Sequence, residues 1–177
     1  MTKVRTVILI FITILACFVI ETTVLPSIAV QDIMPNLMII VTASYGFMFG
    51  DRVGILVGFF CGFLCDLFFG PLIGIQAGVY ALIGFLSGKF QKILYVEDLT
   101  FPLVLIAGCD LIYGILMFVF LFLIQNRLFF REFFFTCIVP EIVYTVLAAV
   151  IVYPILRFLY NHFMRPRHQT GQNAKSL

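Results

Sequence analysis

The chain has 177 residues, 63% of them hydrophobic and only 11% charged, with a formal net charge of +2. A soluble domain of this length carries roughly a quarter charged residues, so the composition excludes one and points to an integral membrane protein. Five cysteines, Cys17, Cys61, Cys65, Cys109 and Cys137, all lie in apolar runs with no CxxC pair and no nearby histidine; they read as small apolar residues, not as disulfides or a zinc site.

Apolar runs of membrane-spanning length recur along the chain. Lys3 and Arg5 precede the first, predicted over residues 6–25 and stopped by Pro26. The same start also fits a cleavable signal peptide ending near Ser27 and Ala29. Glu21 sits badly in such a segment, so span one is expected to be retained. SIAVQDIMP forms a polar connection, and Pro35 is placed to open a short second span over 36–50. A tight turn at Asp51-Arg52 leads to span three, 53–69, which Gly70-Pro71 ends. Span four covers 73–93 and carries Lys89 and Lys92 at its end. Glu97 and Asp98 mark the next loop, before span five at 100–125. Arg127, Arg131 and Glu132 follow, and span six is predicted over 133–160. The stretch 161–177 is a basic tail, expected to be disordered.

The expected fold is therefore all-α, six transmembrane helices in a compact bundle over residues 1–160. Lys3, Arg5, Arg52, Lys89, Lys92, Arg157, Arg165, Arg167 and Lys175 fall on one side of that plan, and only Arg127 and Arg131 on the other. This asymmetry puts both termini in the cytoplasm.

Glycine recurs every fourth residue through Gly46, Gly50, Gly54, Gly58 and Gly62; Asp66 takes the next place, followed by Gly70, Gly74 and Gly78. One helix over that stretch would be ~50 Å long, against a hydrocarbon core of ~30 Å, so the register must break. Within span three, Gly54, Gly58, Gly62 and Asp66 share a drifting face. Small residues at this spacing let a neighbouring backbone approach closely. Helix packing or a partner interface is the expected use.

Four acids lie within or at the ends of spans: Glu21, Asp66, Asp110 and Glu141. The strong apolar residues of span three contribute about −0.3 to −0.6 kcal/mol each to insertion, enough to carry an Asp that costs about 2.5–3.5 kcal/mol at mid-span. Asp66 can accept hydrogen bonds from a neighbouring helix or partner, bind a cation as in a transporter, or sit at a wet interface. Asp110 falls near the midplane, with Tyr113 one turn on as a possible donor. Glu141 lies at a helix N-terminus if Pro140 occupies the first turn, and beside a kink if the helix starts earlier. Glu21 is expected at the interface. No nucleophile with a base, nucleotide loop or metal cluster is present, so neither catalysis, nor a metal, nor a cofactor is expected.

PNLMIIV opening the second span, the charged turn DR, GFFCGFLCD and GPLIGIQAGVYALIGFLSGK resemble the rod shape-determining protein MreD family, best over residues 35–92. On this resemblance Gly58, Gly62 and Asp66 are the most recognisable positions, with Gly70 and Gly74 following. It implies a non-catalytic scaffold in the bacterial inner membrane, part of the cell-elongation machinery that supports lateral peptidoglycan synthesis. The implied partners are the bitopic protein MreC, the filament protein MreB, a glycosyltransferase and a transpeptidase, with the lipid bilayer and no nucleic acid. The family shares its implied fold with the S components of energy-coupling-factor transporters. A vitamin-type binding S component is therefore the alternative, and it should show an outer pocket, with Gln76 and Tyr80 the best lining candidates. A scaffold should instead fill that space and show a small-residue groove on its lipid-facing surface.

Overall fold

The computed structural model describes residues 2–28, 33–70, 73–91, 100–125, 131 and 134–164. Among these the regular structure is helical, with no strand: α1 (Thr2–Thr23), α2 (Leu25–Ile28), α3 (Leu37–Phe49), α4 (Asp51–Phe69), α5 (Ile75–Phe90), α6 (Thr100–Gln125) and α7 (Val139–Leu159). Wider π turns, Phe134–Ile138 and Tyr160–Met164, bracket α7. The loop acids Glu97 and Asp98, the charges Arg127 and Glu132, and the tail from 165 to 177 lie outside the described residues.

Among the described residues, four helical segments are long and apolar enough to cross a membrane: Val4–Ser27, Asp51–Phe69, Thr100–Phe120 and Phe134–Phe163. The helices α3 and α5 are apolar but shorter, with 13 and 16 residues. At 1.5 Å per residue α3 is only ~20 Å long. It is nevertheless the centre of the molecule. Twelve of its residues, Leu37 through Met48, are buried, and it touches α1, α4, α5, α6 and α7. A helix that is apolar all round belongs inside. Its neighbours turn their apolar faces outward: Phe59, Phe60 and Phe63 on α4, and Val143, Leu147, Ile151 and Ile155 on α7 are all exposed. So large an outward apolar surface suits hydrocarbon, not water.

The two ends of the bundle differ. At one, Phe49 of α3 meets Tyr160 edge-on at 4.9 Å, Gln91 Nε2 donates to the Met48 carbonyl at 2.9 Å, and the Arg5 guanidinium sits over the Phe163 ring. At the other lie the C-terminal ends of α1 and α4 and the starts of α3, α5 and α7.

The break between α3 and α4 falls one residue before the charged turn expected at Asp51-Arg52. Gly50 takes the bend with φ +92°, a conformation that side chains resist, and Asp51 opens α4, where an acid suits the helix dipole. Span six follows the alternative in which the helix starts before Pro140. A π turn from Phe134 leads directly into α7, so Pro140, second in α7, lies within continuous helical backbone and can donate no N–H to the preceding turn. The helix turns on to Met164, past the residue 160 at which the tail was expected to begin.

Candidate functional site

α4 and α5 pack at main-chain contact. A Cβ added to Gly58 would strike the Tyr80 carbonyl, one on Gly62 the Gln76 carbonyl, and Gly54 and Gly84 face each other's carbonyls. Gly54, Gly58 and Gly62 thus lie inside the protein, against α5. The glycine series does not continue as one surface. Gly70 lies against Asp66 itself, while Gly74 and Gly78 have nothing within 4 Å of an added Cβ.

Asp66 closes the far end of this pair. It is 2% exposed. Its Oδ2 accepts the N–H of Gly74 at 2.8 Å and of Ala77 at 2.9 Å, and its Oδ1 accepts that of Gln76 at 3.0 Å. A helix start leaves its first N–H groups without intrahelical acceptors, and here a carboxylate from the preceding helix supplies them. Gly74 makes the approach possible by standing at φ +107°. The Gly70 N–H completes α4 on the Asp66 carbonyl at 3.1 Å.

Asn36 joins three helices, and nothing in its sequence surroundings marks it beyond its place before α3. Its Oδ1 accepts the Ile39 N–H at 3.1 Å, capping α3, and also the Tyr80 hydroxyl of α5 at 2.9 Å. Its own N–H donates to Thr145 Oγ1 of α7 at 3.1 Å. Asn36 is buried, and its polar atoms meet groups on α5 and α7 that are remote in sequence.

Above this junction lies a cavity of about 380 Å³ whose lining includes Glu21, Asn36, Gln76, Tyr80, Tyr113 and Glu141. Glu21 of α1 is partly buried. It faces this cavity, and its Oε2 accepts the Met38 N–H at 3.0 Å, helping to cap α3. Glu141, in the first turn of α7, faces the same space. Asp110 of α6 is buried near Thr145, outside the lining of this cavity. Neither of its carboxylate oxygens has a hydrogen-bond partner among the described residues. The bond anticipated from Tyr113 is absent because that ring turns to the cavity, where it packs on Tyr80 with centroids 5.2 Å apart. Two of the four intramembrane acids, Glu21 and Glu141, thus face one space, while Asp110 and Asp66 lie outside its lining.

The family model for rod shape-determining protein MreD matches residues 1–163. The chain belongs to the MreD family. The match covers nearly the whole chain, including the later half, where motifs alone were weak. No curated protein and no solved structure matches the chain. MreD membership joins the apolar helices to a role in cell-shape determination in a membrane. The cavity departs from the filled interior expected of a scaffold, and Gln76 and Tyr80 line it as anticipated for the transporter alternative. Membership of the family nonetheless favours shape determination, and vitamin binding receives no support from the comparisons.

Proposed function

We propose that this protein is a non-catalytic scaffold of the rod-shape machinery in the bacterial inner membrane. It holds an MreC-type bitopic partner and so supports lateral peptidoglycan synthesis alongside MreB, a glycosyltransferase and a transpeptidase. The family match over residues 1–163 carries this reading. In it all six long or intermediate helices cross the bilayer, as in the S-component fold, with both termini cytoplasmic. Two observations support that plan. Arg5, Arg52, Lys89 and Arg157 cluster toward one end of the bundle, as the positive-inside rule requires of a cytoplasmic face. The short α3 is enclosed by protein, so it need not match the lipid thickness.

Within this reading the α4–α5 pair is the rigid unit of the scaffold. Gly54, Gly58 and Gly62 set its crossing, and Asp66, Gly70 and Gly74 fix its outer turn. Affinity purification of the full chain from its native membrane tests the proposal. An MreC-type protein should co-purify, and depletion should convert rods to spheres. Normal rods after depletion, with no such partner recovered, would sink it.

A further inference from the structure

Two carboxyl side chains, from α1 and α7, face the cavity. They are Glu21 and Glu141; Asp110, 2% exposed and near Thr145, lies outside the lining. Among the described residues no lysine, arginine or histidine lines the space. Two carboxylates that share a low-dielectric space stay ionised together only with a counter-charge beside them. The described residues also contain no grouping of three or more acidic, histidine or cysteine side chains able to hold a metal ion. The remaining features favour an organic cation. Tyr80 and Tyr113 meet at 5.2 Å with planes 57° apart, forming an aromatic corner on the wall, and ring faces attract ammonium groups. Gln76 is a further lining side chain with both donor and acceptor capacity. A volume of about 380 Å³ suits a small molecule or a lipid headgroup.

We propose that this cavity binds an ammonium group, seated between the Glu21 and Glu141 carboxylates against the rings of Tyr80 and Tyr113. Either a free primary amine or the headgroup of an aminophospholipid supplies that chemistry. Glu141 is the principal anion, because Glu21 already has Oε2 on the Met38 N–H. The inference does not depend on the scaffold reading.

The test is thermal melting of the full chain in lipid nanodiscs, followed with a dye that reacts with buried thiols as they open. In discs of phosphatidylglycerol alone, ethanolamine should raise the melting temperature saturably, above sodium chloride at equal ionic strength. If the headgroup is the ligand, discs containing phosphatidylethanolamine should give that rise instead. Glu141→Gln should weaken the response about tenfold or more, through loss of a charge-assisted contact. Glu21→Gln, which keeps an oxygen for Met38, should weaken it less. The proposal is overturned if neither amine source exceeds sodium chloride, or if Glu141→Gln responds as fully as the parent. Should Glu141→Gln fail to fold, the parent chain alone decides: a saturable amine response supports the site, and its absence overturns it.

Discussion

Asp66 and Ala77 lie on different helices, yet the carboxylate of the first accepts the backbone N–H of the second at 2.9 Å. With Gly74 and Gln76 held by the same side chain, the end of α4 becomes the cap of α5. Asp66→Leu is expected to strand all three N–H groups, each at about 1–3 kcal/mol, and to lower the melting temperature sharply. Asp66→Asn keeps one acceptor oxygen and should fall between the parent and the leucine variant. Equal recovery of an MreC-type partner by both variants would show that the cap serves stability alone. Equal loss in both would indicate that the ionised carboxylate itself is required.

Two glycines four positions from the nearest glycine of the same series should respond in opposite senses. Gly62→Leu drives a side chain into the main chain of Gln76 and Ala77, so destabilisation of about 1–3 kcal/mol or more is expected. Gly78, exposed and with open space around it, should accept alanine with no loss and a gain of up to about 1 kcal/mol from helix propensity. Melting of both variants in nanodiscs checks the contrast.

Gly74→Ala isolates backbone strain. The added methyl would meet nothing, so any cost arises from holding φ +107° with a Cβ. A loss of about 1–2 kcal/mol is expected, without loss of the fold.

Asp110→Leu should leave melting unchanged or raise it, because it removes a buried carboxyl without a hydrogen-bond partner among the described residues. A large drop would mean that the acid is supported by a group outside those residues.

Local chemistry made the helices legible. Runs of apolar residues punctuated by glycine and proline mark each one, and the regular glycine spacing in α4 signals a face for close approach. What could not be read was lateral arrangement. Glu21 and Glu141 lie on α1 and α7, and no spacing along the chain tells that two such helices bring their acids to one cavity. Asn36 escaped for a related reason: its two long-range partners, Tyr80 and Thr145, come from helices far along the chain. The bend at Gly50 was misplaced because charged residues beside it suggested a turn, whereas the positive φ belongs to the glycine.

The enclosure of α3 has a bearing on how the protein is made. This helix leaves the ribosome before α4 and α5, which later cover it, and its 13 residues are too few to reside stably in lipid by themselves. Its final seat is therefore a late step of biogenesis, reached when the following hairpin closes. A Ser44→Cys thiol, buried in the complete protein, is expected to remain reactive in membrane-inserted chains that end at Phe69 and have left the ribosome. It should become protected once the chain includes α5, so labelling of chains of increasing length would date the closure.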